Sequence, residues 1–172
     1  GANVLAVGYT IYLGSEFENQ MVTEAARLIF EAHQNGLLTV LWVYPRGKTV
    51  KDEKDAHLIA GACGLACALG SDFVKVNPPK KEGAKSEVIF KEATMAAGRT
   101  GVISAGGSTT DPKEFLERLS KQITVGKTVG NATGRNIHQK SLAEAINFCQ
   151  AISAITFNDA PVEEAFKIYQ GK

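Results

Sequence analysis

Long apolar runs are absent. No stretch of the 172 residues reaches the roughly 18 apolar positions that a bilayer-spanning helix needs. No signal-peptide pattern is visible either, so no membrane partner is expected. Charge of one sign is also lacking. Lys and Arg number 19 against 18 Asp and Glu, a net charge of +1, and no global basic field points to nucleic acid. Cysteine is scarce. Cys63, Cys67 and Cys149 make an odd count without a framework spacing, which excludes a disulfide scaffold and suits a reduced, cytoplasmic setting. Cys63 and Cys67 lie four apart on an expected helix with no further ligand at metal spacing. His33, His57 and His138 are scattered. Packing is the expected role of the two cysteines, and neither a metal nor another cofactor is expected.

What is present is a globular composition, 44% hydrophobic and 22% charged, arranged as a repeat. Short β-rich runs are expected at 4–11, 38–44, 73–76, 101–104 and 127–133. Each is followed by a helical pattern with its own start signal. Ser15 with Glu18 fits a capping box, as does Ser141 with Glu144. Asp55 and Ser86 stand at N-cap positions. Asp111 precedes an N1 proline, Pro112, with Glu114 as the third box member. Asn35-Gly36, Gly70 and Gly98 are stops, and a last amphipathic helix is expected over 161–169.

Five strand–helix units with no hairpin signal predict parallel strands joined by helical crossovers. Tyr44 to Lys75 spans 31 positions, Lys75 to Ser104 spans 29, and Ser104 to Thr133 another 29. A constant period with polar residues at each strand's C-terminal end is the pattern of a (βα)8 barrel. The competing doubly wound sheet usually shows a Gly-rich turn after its first strand, and none is here. Five units cannot close eight strands. Residues 1–172 are therefore expected to be one partial barrel domain, strands four to eight, with the N-terminal units missing upstream of Gly1.

Lys75 ends the third run. A lysine facing a barrel interior is costly to bury as an ammonium, so desolvation lowers its pKa and frees the amine to attack a carbonyl. The plainer alternative is a surface lysine leaning from the strand end. Tyr44 ends the preceding strand and is expected beside Lys75, one strand spacing of about 4.8 Å away, where a phenol can move a proton. Trp42 shares its face and would wall the pocket or simply fill a layer. Gly106-Gly107 and Gly134-Arg135 follow the fourth and fifth strands. In a barrel the last two such turns form a phosphate site, with Arg135 supplying a fork of charged donors. Ordinary turn glycines and a surface arginine are the alternative. Lys80 and Lys81 read as a solvated loop.

Four separated motifs carry a resemblance. They are Ala6-Val7-Gly8-Tyr9-Thr10-Ile11-Tyr12-Leu13-Gly14-Ser15, Trp42-Val43-Tyr44-Pro45-Arg46-Gly47, Asp72-Phe73-Val74-Lys75 and Gly134-Arg135-Asn136-Ile137. In order and spacing the chain resembles the archaeal-type class I fructose-bisphosphate aldolases from about residue 3 to residue 156. The resemblance implies a metal-independent carbon–carbon lyase acting on a sugar phosphate, in glycolysis or gluconeogenesis, as a homo-oligomer. Lys75 would be the Schiff-base lysine and Tyr44 the proton-transfer residue, with Trp42 lining the site. Gly106, Gly107, Gly134 and Arg135 would hold a substrate phosphate. Where the family often has Ser directly before the Gly-Gly pair, Ala105 stands here with Ser104 one earlier, and Ser104 joins the phosphate candidates. Ser108-Thr109 replaces a common Pro-Lys, and the family's first-strand acidic residue has no counterpart. A sister aldolase, transaldol synthase or thiolase on the same scaffold, or a non-catalytic phosphometabolite-binding fragment, are the alternatives.

Overall fold

Each strand pairs with the one before it in the chain. In the computed structural model, which describes residues 3–172, the order is β1 (Ala6–Leu13), α1 (Glu18–Gln34), β2 (Leu38–Pro45), α2 (Ala56–Leu69), β3 (Phe73–Val76), α3 (Ser86–Ala96), β4 (Gly101–Ala105), α4 (Pro112–Thr124), β5 (Gly130–Ala132), α5 (Arg135–His138), α6 (Leu142–Asn158) and α7 (Val162–Tyr169). The expected start at Gly1 lies outside the described residues. All four pairings are parallel, and the sheet runs β1-β2-β3-β4-β5 without a reversal. A doubly wound sheet would reverse strand order at a switch point. Sequential order belongs to a barrel wall.

Two strands, β1 and β5, differ from expectation by more than one residue at an end. β1 sits two residues later than 4–11 because its partner sets it: Ala6 faces Leu38 and Leu13 faces Pro45. β5 is much shorter than 127–133. Lys127 takes a left-handed φ of 63° and the Thr128 amide still donates to the Gln122 carbonyl, so the chain is turning where a strand was expected.

Side chains alternate across a strand, and this divides the sheet into two faces. Ile11, Leu41, Val43, Val74, Val76 and Val102 are buried against Ile29, Ile59, Phe90 and the alanines of α1 to α3. Each such Val, Leu or Ile contributes about 1.5–3 kcal/mol by leaving water. A second cluster, Phe115, Leu116, Leu119, Phe148 and Ile155, joins α4 and α6, with Ala165 of α7. The opposite face presents Trp42, Tyr44, Phe73, Lys75, Ile103 and Ala105, all only partly buried.

The start signals divide likewise. Asp55 accepts from the His57 and Leu58 amides, Asp111 from those of Lys113 and Glu114, and Ser141 with Glu144 closes a reciprocal box. Ser15 and Ser86 do not cap. Helix α1 begins after Phe17, and Glu18 instead accepts from the Gly14 amide at 2.5 Å. The Ser86 hydroxyl donates to the Pro79 carbonyl at 2.8 Å. In both places the polar side chain ties down the incoming loop. No helix among the described residues is long and apolar enough to cross a membrane.

Candidate active site

Lys75 lies on the inner face of β3, opposite Trp42 on β2 and Ile103 on β4. Its side chain is partly buried. Desolvation pulls its pKa below the ordinary 10.5, and no ion pair to it occurs among the described residues. A cation placed this way is raised in free energy relative to its neutral amine, which favours the nucleophilic form.

Tyr44 is not level with Lys75, as expected, but one layer higher. Its register neighbour on β1 is Tyr12, and the two rings stack with centroids 6.5 Å apart. Two residues of strand rise about 6.6 Å, which the four methylenes of a lysine can climb. The two side chains do share a cavity of about 390 Å³, lined also by Arg46, Asn77, Ala105, Gly106, Gly107, Ala132, Gly134 and Arg135. Burial first, and then Tyr12, push the Tyr44 phenol above its usual value, with Arg46 opposing. The phenol therefore stays protonated and able to donate.

Trp42 takes a different place. Its ring turns toward β1 and lies over Gly8, where any Cβ would overlap the indole. It does not line the Lys75 cavity. The indole occupies the space that a side chain at Gly8 would take. Trp42 thus packs on β1 at the level of Lys75, its register partner on β3.

Ser104 is a correction. It is 1% exposed and shares the helix-facing side of β4 with Val102. The inner side belongs to Ile103 and Ala105, so the Ser104 hydroxyl cannot reach an anion in the cavity. The two glycines after β4 also divide their work. The Gly106 amide donates to the Ala132 carbonyl at 3.1 Å, so it is engaged in the ladder. Its missing Cβ lets Thr133 approach, since a Cβ would meet Thr133 Oγ1 at 2.7 Å. Gly107 has φ of 73° with open space beside it, a conformation L side chains avoid. Behind them Arg118 of α4 donates to the Gly106 carbonyl at 3.4 Å. Across the gap, Gly134 and Arg135 open α5, and the Arg135 side chain is exposed at the rim.

Sequence reasoning passed over Arg46 and Asn77. The signal was there: each stands two positions beyond Tyr44 or Lys75, on the same face by the period of two. Arg46 binds Glu53 through two 2.8 Å hydrogen bonds and lies over the Tyr12 and Tyr44 rings at 5.8 and 6.0 Å. Cys63 is fully buried, and its thiol is pushed up to about 12 by burial, so it is inert packing.

Fold and rim together define a class: a segment of a (βα) barrel whose strand ends gather an amine, a phenol and a glycine-arginine turn. The chain belongs to the DeoC/LacD family of aldolases, whose model matches residues 1–140. It is 57% identical over 171 residues to the fructose-bisphosphate aldolase/6-deoxy-5-ketofructose 1-phosphate synthase of Methanocaldococcus jannaschii, covering 99% of this chain and 54% of that protein. It is 37% identical to the class 1 fructose-bisphosphate aldolase of Halobacterium salinarum, covering 93% and 58%. Among solved structures, the fructose-bisphosphate aldolase from Slackia heliotrinireducens superposes with a TM-score of 0.96 at 54% identity, over 99% of this chain and 54% of that one. An archaeal fructose-1,6-bisphosphate aldolase, with its catalytic lysine bound to the carbinolamine intermediate, superposes at 0.75 and 32% identity, over 90% and 63%. The chain therefore spans about half the length of the curated relatives it matches, and its sheet is part of the barrel wall that they share.

Proposed function

We propose that this chain carries the reacting lysine and the phosphate cradle of a class I fructose-bisphosphate aldolase. One observation carries it: Lys75 is half-buried, without an ion pair among the described residues, in a cavity shared with Tyr44 and with both glycine-bearing turns. The Lys75 amine adds to the ketone carbon of fructose 1,6-bisphosphate. The carbinolamine loses water to an iminium, which withdraws electrons from the neighbouring carbon. The carbon–carbon bond beyond it then breaks as the C4 hydroxyl gives up its proton. Glyceraldehyde 3-phosphate leaves, and the enamine takes a proton back before water releases dihydroxyacetone phosphate and the free amine. Tyr44, protonated and within the same cavity, is assigned to these proton movements. Arg135 and the Gly107 turn hold a phosphate, with Gly134 setting the approach to α5.

On this reading residues 1–172 act as one catalytic unit, strands four to eight of the barrel, in a cytoplasmic homo-oligomer serving glycolysis or gluconeogenesis. A second activity is favoured by the Methanocaldococcus relative, whose name joins aldolase and 6-deoxy-5-ketofructose 1-phosphate synthase. The same iminium and enamine serve transfer to a different carbonyl acceptor. Borohydride reduction in the presence of fructose 1,6-bisphosphate is expected to add the ketose mass to the peptide containing Lys75, and Lys75→Ala to abolish it. A folded, substrate-saturated protein that stays unlabelled at Lys75 would sink the proposal. A panel of acceptor carbonyls separates cleavage from transfer.

A further inference from the structure

We infer that Asn136 is a positioning residue that locks the two anion-binding turns together, acting through the backbone of the turn after β4 without touching substrate. Asn136 follows Arg135 in α5 and is 2% exposed. It is the only polar side chain among the largest fully buried ones described. Both ends of its carboxamide are spent on the opposite turn. Its Oδ1 accepts from the Thr110 amide at 2.9 Å, and its Nδ2 donates to the Ser108 carbonyl at 3.2 Å. A second link at the surface repeats the connection: the Thr109 hydroxyl donates to Gln139 Oε1 at 2.6 Å.

The geometry explains why this matters for an anion. Gly107 has a left-handed backbone and open space where a Cβ would stand, so no packing on that side holds it still. It is held from its two sides instead. Upstream, the Gly106 amide is tied to Ala132. Downstream, Asn136 grips Ser108 and Thr110. The same residue neighbours Arg135, so the spacing between the Gly107 turn and the backbone that carries Arg135 is set by one buried carboxamide. Only an amide presents a donor and an acceptor in the fork required here. Aspartate would keep the bond from Thr110 but set a carboxylate oxygen against the Ser108 carbonyl. Misplacing one half of a two-sided clamp by about 1 Å costs on the order of a hundredfold in a fully used site. For an exposed anion subsite a tenfold loss is the appropriate scale.

The inference rests on the proposed phosphate cradle, and the experiment separates the two. Wild type and Asn136→Asp are compared for affinity to inorganic phosphate by calorimetry, for KM and kcat with fructose 1,6-bisphosphate, and for borohydride trapping of Lys75 with unphosphorylated dihydroxyacetone. Asn136→Asp is expected to weaken phosphate and raise KM by roughly tenfold, with dihydroxyacetone trapping unchanged. Unchanged phosphate affinity overturns the inference. So does equal loss of phosphate binding and dihydroxyacetone trapping, which marks general loosening. If Asn136→Asp does not fold, the surface pair Thr109→Val and Gln139→Ala decides: a two- to threefold weakening of phosphate supports the lock, and none overturns it. A wild-type protein that binds phosphate but never traps a ketone defeats the aldolase proposal while leaving the lock testable by calorimetry. A wild type that binds no phosphate removes both.

Discussion

Asp72, just before β3, and Lys75, near its far end, are three residues apart in the sequence, and their charges are treated in opposite ways. At the lower rim Asp72 accepts from the Thr39 amide at 2.8 Å, the Thr39 hydroxyl at 3.0 Å and His33 at 3.0 Å. Ser71 and Thr100 extend the network, with the Thr100 hydroxyl donating to the Ser71 carbonyl and the Ser71 hydroxyl to the Phe73 carbonyl, each at 2.8 Å. Buried polar groups there are satisfied, which is how they avoid a desolvation penalty. At the upper rim Lys75 is desolvated and forms no ion pair among the described residues. The lower rim holds strands together, and the upper rim leaves an amine desolvated. Barrel folds commonly divide stability and chemistry between their two ends in this way.

That contrast can be broken at either end. Lys75→Ala is expected to reduce turnover by a thousandfold or more, on the order seen when a covalent nucleophile is removed. Its melting temperature should stay level or rise, because a partly buried unpaired cation is lost. A marked fall in melting temperature would mean that Lys75 is structural and the contrast is false. Tyr44→Phe is expected next, with cleavage slowed about a hundredfold or more and borohydride trapping of Lys75 retained. Loss of trapping as well would place Tyr44 in iminium formation rather than in cleavage.

Thr39→Val probes the other rim. It removes a donor to Asp72 and the acceptor for the Asp72 amide at 3.2 Å, and should cost about 1–3 kcal/mol in denaturant unfolding. KM and kcat should not change, since the site is at the far strand ends. The smallest effects are in pH. Burial alone would raise the Asp72 carboxyl, but His33 and the two Thr39 donors outweigh it and hold the group below its usual 3.8. The sign follows from linkage: the stabilisation is complete above the unfolded value of about 3.9 and fades as pH falls through the lower folded value. Asp72→Asn should flatten the acid limb of the stability curve, as chemical denaturation at stepped pH would measure. For Lys75 the sign is opposite in use. Its rate of iminium trapping should rise with pH to a midpoint below 10.5, whereas a midpoint at or above that value would mean an exposed amine.

The alternation of strands and helices was legible because each element advertises itself locally. Asp55, Asp111 and Ser141 cap helices through side chains that reach only two or three residues onward. Ser15 and Ser86 have the same composition signal and failed, because nearby loop backbone competed for their neighbours or their hydroxyls. In the site, the period of two already separates Ser104 from Ala105. Which of those faces looks inward is decided only when β4 is registered against β3. Arg46 and Asn77 were legible by the same period once Tyr44 and Lys75 were placed.

Sequence by itself determined the repeat, the parallel order, and the amine at the end of the third strand, since these follow from short-range periodicity and spacing. Tertiary structure alone decided that Trp42 fills the gap over Gly8, that Tyr44 stands a layer above Lys75, and that Asn136 bridges to Ser108 and Thr110. Those facts depend on strand register and on contacts between turns 26 and 28 residues apart, and no local pattern encodes a distance across space.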